Sequence, residues 1–117
     1  MSRFRFMSPT PWGAAQTTEE LPGPDRGLYV VTTTVHGGVF VPTEHLHRIP
    51  EHHQAYAERW SRSRQWYEED IAVVAVIIAF PLAFPRITAE DREKMRATLE
   101  RYATRPTRRT PREEVTR

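Results

Sequence analysis

The sequence predicts an α+β fold in which a short antiparallel hairpin or small sheet packs against two to three helices. Residues 28–35, LYVVTTTV, are mostly β-branched or aromatic and have turn-forming residues on both sides, a composition typical of a strand. Gly37 and Gly38 separate this segment from a second β-rich run at residues 39–41, which predicts a hairpin with its turn at the glycines. Residues 87–102 predict a helix, because a capping threonine precedes a segment with one apolar face.

The segments on either side of this hairpin differ in their content of proline and glycine. Residues 1–27 are interrupted so often by these residues that we expect an irregular N-terminal arm, with a helical turn beginning near Thr17. Residues 51–64 suit a helix, since Tyr56 and Trp60 are four apart and would share one face.

The segment at residues 68–80 fits two structures, because the periodicity of a short apolar run does not separate a buried strand from a buried helix. We favour a helix, since Glu68, Glu69 and Asp70 would lie in its first turn, where carboxylates complement the helix dipole. Residues 103–117 carry many arginines and little apolar surface, which predicts a disordered tail. The predicted organisation is an irregular arm at 1–27, a compact core at 28–102 and an Arg-rich tail at 103–117.

The composition excludes several classes of protein. A chain of 117 residues is long enough for one domain with its own core. The absence of cysteine excludes disulfides, thiolate zinc sites and a cysteine nucleophile. The longest apolar run, Ile71 to Phe80, is well short of the ~20 residues of a membrane span, so we expect a soluble cytoplasmic protein with no membrane partner. Sixteen arginines and one lysine give a formal net charge of +2, which permits contact with nucleic acid.

The histidines form a cluster in the sequence. They are His36, His45, His47, His52 and His53. Imidazole is a common metal ligand, but helical residues one or two apart do not face each other, and the histidines show no zinc-binding spacing. We therefore expect exposed polar side chains here, and we predict no metal and no cofactor.

The residues that offer acid/base chemistry are His36 and the acidic cluster of Glu68, Glu69 and Asp70. Clustered carboxylates raise one another's pKa, and a histidine beside them could complete a catalytic pair. The same contact could instead be a structural hydrogen bond that holds the turn. We expect His36 to reach the cluster, and we favour the structural role.

A second group combines positive charge with aromatic rings. It consists of Arg59, Trp60, Arg62, Arg64 and Trp66. Arginine, tryptophan and tyrosine are enriched at protein interfaces, so this group is the predicted binding patch. Phosphate contacts and base stacking would be available to it as well, although no helix-turn-helix, zinc-finger or RNP pattern is present.

Several short motifs occur in a distinctive order. They are PWGAAQ at 11–16, TTVHGG at 33–38, Pro50, YEED at 67–70 and FPLAF at 80–84. In this order they resemble the pattern of a group of small proteins of unknown function carried by phages, plasmids and conjugative elements of proteobacteria. One departure is IAVVAV after YEED, where that group usually has further polar or aromatic residues.

The resemblance implies an accessory protein of a mobile element. Many such accessory proteins counter host defence. We therefore expect an anti-CRISPR-like or antirestriction-like inhibitor that masks the surface of a host defence protein or nuclease complex, a function that needs no catalytic residue. The first alternative is a small hydrolase or nucleotide-modifying enzyme that uses His36 with a carboxylate. The second is a nucleic-acid-binding accessory protein that uses its arginine patches.

Overall fold

A computed structural model describes residues 3–105 and shows an α+β fold, which confirms the predicted fold class. The strands are β1 (Pro9–Thr10), β2 (Gly13–Ala14), β3 (Thr17–Glu20), β4 (Tyr29–Thr32), β5 (Gly37–Phe40) and β6 (Trp66–Glu68). The α-helices are α1 (Glu51–Ser61), α2 (Val73–Ala79) and α3 (Ala89–Ala103), with short 3-10 helices at Thr43–Arg48 and Pro81–Ala83. Within residues 3–105, no helix is both long and apolar enough to cross a membrane.

The four strands β3 to β6 form one antiparallel sheet in sequence order, and β1 and β2 form a separate small hairpin. Because successive strand residues point to opposite faces, the sheet has two different sides. Val39 and Tyr67, which are paired across β5 and β6, belong to the larger core with the helices. Phe40 and Trp66, the next pair, belong to a second core on the other face.

The second core is closed by the N-terminal segment, which is more regular than the sequence predicted. Phe4 lies among three aromatic rings of the sheet, with ring centroids 5.5 Å from Tyr29, 4.8 Å from Phe40 and 5.2 Å from Trp66. The helical turn predicted near Thr17 is wrong, because β3 pairs with β4 and its backbone groups are satisfied there. The arm therefore supplies the first strand of the sheet.

The hairpin exists, but its turn was placed wrongly. Gly37 and Gly38 lie in β5, where Gly38 pairs with Val31, and the chain reverses at residues 33–36. The Thr33 hydroxyl holds this turn, since it donates to the His36 carbonyl at 2.8 Å and accepts from the His36 backbone N–H at 3.1 Å. The glycines serve close packing instead, because a Cβ atom on Gly38 would overlap the Tyr67 carbonyl oxygen and lie 2.6 Å from Cη2 of Trp12.

The helix predicted at residues 68–80 is wrong in its first part. Residues Trp66–Glu68 form the edge strand β6, and α2 begins only at Val73. The acidic cluster therefore lies in the connection between them and not in a first helical turn. Asp70 takes a left-handed conformation with φ of 82°. The physical reason is pairing with β5, a contact between segments distant in sequence that outweighs the local preference.

The other helices agree with the sequence prediction. The predicted helix at residues 51–64 is observed as α1, which ends at Ser61 with Arg62 in a left-handed conformation. The predicted cap of α3 is confirmed, since Thr88 Oγ1 accepts a hydrogen bond of 3.1 Å from the Asp91 backbone N–H. Most of the predicted tail, residues 106–117, lies outside the described residues.

Candidate functional site

A cleft of about 250 Å³ opens between α1, the connection after β6 and the end of α3. Its lining residues are Tyr56, Trp60, Glu68, Glu69, Asp70, Ile71, Ala72 and Tyr102. Aromatic residues from two helices thus line the same cleft as three consecutive acidic residues. We call this site the acidic-aromatic cleft.

Each wall of the acidic-aromatic cleft follows from the local structure. Tyr56 and Trp60 are one helical turn apart on α1, so their rings approach to 6.1 Å between centroids. Ser61 fixes the end of this helix to β6, because its buried hydroxyl lies 2.9 Å from the Trp66 carbonyl oxygen. The left-handed conformation of Asp70 then turns the chain sharply after β6.

The aromatic rings of the acidic-aromatic cleft lie in surroundings that attract cations. The guanidinium of Arg59 lies 5.2 Å from the Tyr56 ring centroid, and that of Arg105 lies 4.9 Å from the Tyr102 ring centroid. Within residues 3–105, no such cation lies over Trp60, whose side chain is 39% exposed. A partly exposed tryptophan ring that shares a cleft with acidic residues can bind an ammonium or guanidinium group.

Burial changes the protonation behaviour of the acidic wall. It raises the pKa of Glu68, and the negative charges of Asp70 and Glu69 add to this effect. His36 acts in the opposite direction and favours the ionised carboxylate. Burial likewise raises the pKa of Tyr56, which therefore stays a neutral phenol at physiological pH.

His36 lies at the end of the β4–β5 turn, next to Glu68. Its Nδ1 atom lies 3.7 Å from Oε2 of Glu68, so the expected approach to the acidic cluster is observed. The ladder between β5 and β6 produces this approach, since the Glu69 backbone N–H donates to the Gly37 carbonyl at 2.9 Å. His36 is half exposed and does not line the acidic-aromatic cleft.

The predicted binding patch is divided by the fold. Trp66 is buried in the second core and is not part of the exposed surface, because its strand position points away from the helices. Arg64 is engaged by two carboxylates of α1, at 2.6 Å from Glu51 and 2.9 Å from Glu58. Trp60 is the member of the patch that also lines the cleft.

The expectation that His52 and His53 diverge is wrong, because both side chains lean from α1 toward α3. Their ring centroids are 4.2 Å apart, and both rings approach Glu100. Nε2 of His53 lies 2.6 Å from one carboxylate oxygen, and Nε2 of His52 lies 2.9 Å from the other. No local pattern signals this cluster, since Glu100 is 47 residues beyond His53.

The protonation of this cluster follows from its unequal exposure. His53 is almost fully buried, and burial lowers the pKa of its imidazole despite the nearby carboxylate. The hydrogen bond from His53, with a second from His52, holds the pKa of Glu100 below its usual range. A neutral imidazole N–H therefore donates to an ionised carboxylate. His45, in contrast, lies 2.9 Å from the Arg26 carbonyl oxygen, away from the cluster.

These features define a small α+β domain that carries the acidic-aromatic cleft and a cluster of two histidines with a carboxylate. The chain belongs to the DUF7007 family, a domain of unknown function whose family model matches residues 5–114. This family assignment agrees with the resemblance to proteins of unknown function. Neither the curated proteins nor the solved structures gave a significant match to the chain.

Proposed function

We propose that the protein binds a partner protein through the acidic-aromatic cleft and acts by masking the surface that it covers. The observation that carries this proposal is the exposed ring of Trp60 beside Glu68, Glu69 and Asp70. Tryptophan is the residue type most enriched among interface hot spots. The acidic wall selects for a lysine or arginine of the partner, which would lie between the ring and the carboxylates.

The charge distribution supports a basic partner. Residues 106–117 contain four arginines and two glutamates, which accounts for the formal net charge of +2 and leaves residues 1–105 formally neutral. The negative charge of the three acidic cleft residues is thus not outweighed by a large net positive charge on residues 1–105. Proteins that handle nucleic acid present lysines and arginines to its phosphates, and these cations would suit the cleft.

The partner class follows from this chemistry together with the motif pattern. The motif pattern resembles that of mobile-element proteins, which favours a host defence protein or nuclease complex as the basic partner. The proposed function is therefore anti-CRISPR-like or antirestriction-like inhibition inside the host cell, by coverage of a nucleic-acid-binding surface. Catalysis by this chain is not needed for it.

The test begins with affinity capture from a host lysate, followed by binding measurements on the purified partner. We expect Trp60→Ala to weaken binding by about 30-fold, the ~2 kcal/mol of an interface hot spot. Asp70→Asn should weaken it less and reduce its salt dependence, and asparagine tolerates the left-handed backbone at this position. The matched control is Leu82→Ala, which removes an exposed apolar side chain outside the cleft. Wild-type affinity in Trp60→Ala would refute the proposed surface.

The contact between His36 and Glu68 favours an enzyme as the second candidate function. Their 3.7 Å separation is short enough for an acid/base pair that tightens when substrate binds. This hypothesis predicts hydrolysis or modification of a nucleotide that His36→Ala abolishes, whereas masking predicts that His36→Ala binds the partner like the wild type.

Nucleic-acid binding is the third hypothesis. It predicts an affinity for DNA or RNA that falls steeply as the salt concentration rises, and that falls when Arg59, Arg62 and Arg64 are all replaced by alanine.

A further inference from the structure

A second site lies in the contact between the first turn of α1 and the later part of α3, where His52, His53 and Glu100 converge. One ligand atom from each residue can be chosen so that all three lie within 4.8 Å of one another. Nε2 of His53 lies 2.6 Å from Oε2 of Glu100, and Nε2 of His52 lies 2.9 Å from Oε1 and 3.0 Å from Oε2 of the same carboxylate. These three residues are called the His-Glu cluster below.

We propose that the His-Glu cluster binds a divalent transition metal ion, with Zn²⁺ the preferred ion, and so joins α1 to α3. Two imidazoles and one carboxylate are a donor set that zinc accepts, with ligand bonds of about 2.0–2.2 Å. A tetrahedral site with such bonds separates its ligand atoms by about 3.3 Å. The hydrogen-bonded contacts must therefore lengthen by roughly half an ångström, which is a small movement of the half-exposed Glu100 side chain.

Burial gives the two histidines different parts in this site. His53 is 1% exposed and is held by the core of the protein, so its ring provides a fixed ligand. The side chains of His52 and Glu100 are 45% and 39% exposed, which leaves solvent access on their side of the cluster. A metal ion held by three protein ligands would have its remaining position open to water or to a group of a partner.

The affinity is limited by the tautomer that metal binding requires. Coordination through Nε2 moves the imidazole proton to Nδ1, and within residues 3–105 nothing accepts a hydrogen bond from the buried Nδ1 of His53. Binding also has to replace the hydrogen bonds to Glu100. We therefore expect micromolar affinity for Zn²⁺, weaker than that of structural zinc sites with thiolate ligands.

The experiment is isothermal titration of Zn²⁺ into the full chain without an affinity tag. We expect one ion per chain for the wild type, and at least a tenfold loss of affinity in His52→Ala and in Glu100→Gln. Both substitutions are at exposed side chains and leave the buried His53 in place, so the variants should remain folded. The matched control is His47→Ala, which removes an exposed histidine of the 3-10 helix before α1 and should bind Zn²⁺ like the wild type.

Two further measurements separate metal binding from a purely structural hydrogen-bond cluster. Saturating Zn²⁺ should raise the melting temperature of the wild type by roughly 5–10 °C, and the same concentration should raise that of Glu100→Gln by at most about half as much. Nitrogen NMR of the imidazoles should show the metal-induced shift at Nε2 of both His52 and His53. No saturable binding to the wild type, or binding that survives in both cluster variants, would overturn the proposal. Neither result bears on the acidic-aromatic cleft.

Discussion

The ring of Trp12 lies where any side chain on Gly38 would have to go, since a Cβ atom there would be 2.6 Å from Cη2 of the ring. The same Cβ atom would overlap the carbonyl oxygen of Tyr67 on the neighbouring strand. Gly38 thus allows the N-terminal segment to close over the sheet, and the edge-to-face contact of Trp12 with Trp66, at 5.5 Å between centroids, extends this closure.

Replacement of Gly38 by alanine should therefore destabilise the fold. We expect Gly38→Ala to lower the free energy of unfolding by about 3 kcal/mol, the upper part of the usual range for overpacking, because a backbone carbonyl cannot move aside as a side chain can. Urea denaturation followed by tryptophan fluorescence measures this change. Gly37→Ala is the control, since its Cβ atom would lie 3.1 Å from the nearest atom and should cost less than half as much. Equal losses in the two variants would refute this packing account.

Removal of the Tyr67 hydroxyl should have little cost. Tyr67 is fully buried, and within residues 3–105 its hydroxyl has no hydrogen-bond partner. On folding, this hydroxyl therefore gives up its hydrogen bonds to water and forms none within the protein. We expect Tyr67→Phe to be neutral or to raise the free energy of unfolding by up to about 1 kcal/mol. Tyr29→Phe is the matched comparison, because the Tyr29 hydroxyl accepts a hydrogen bond of 3.1 Å from the Arg3 backbone N–H and its loss should destabilise. Urea denaturation of both variants decides, and a clear loss of stability in Tyr67→Phe alone contradicts this interpretation.

The sequence predicted elements whose signals are local and failed where distant pairing decides. The α3 helix was predictable because Thr88 and Asp91 form its cap within four residues. The β-branched and acidic residues at 66–80 were compatible with either a strand or a helix. The pairing of Trp66 with Phe40 makes the first part of this segment a strand. The two glycines of β5 predicted a turn, but Gly38 is required by the close approach of Tyr67 and Trp12, which are distant in sequence.

The site residues divide in the same way. The approach of His36 to the acidic cluster could be predicted, because a hairpin brings its turn close to a neighbouring segment. The convergence of His52 and His53 on Glu100 could not, since it depends on how α1 packs against α3. Trp66 has the composition of an interface residue, but the side of the sheet to which it points is set by register.

The protonation of Glu68 should make the stability of the protein depend on pH. Burial raises the pKa of Glu68 above its ordinary value of 4.5, so the folded protein holds this proton more tightly than the unfolded chain does. The stability associated with the protonated carboxyl is full below that value and is lost as the pH rises through the folded pKa. We therefore expect the free energy of unfolding of Glu68→Gln, relative to the wild type, to increase between pH 4 and pH 7, measured by urea denaturation. Glu44→Gln removes the same charge at an exposed residue outside the acidic cluster and controls for net charge.

The role of His36 can be measured on the same carboxyl. Nδ1 of His36 lies 3.7 Å from Oε2 of Glu68, and the coulombic interaction with His36 lowers the pKa of Glu68 in opposition to burial. In His36→Ala this attraction is absent, so the midpoint of the Glu68 titration, followed by carboxyl carbon NMR, should move to higher pH than in the wild type. A midpoint that stays the same would mean that the two groups do not interact in solution, and the enzyme hypothesis would then lose the contact on which it rests. A shift of the midpoint with unchanged partner binding would mean that the His36–Glu68 contact stabilises the turn. Partner binding through the acidic-aromatic cleft would then not require His36.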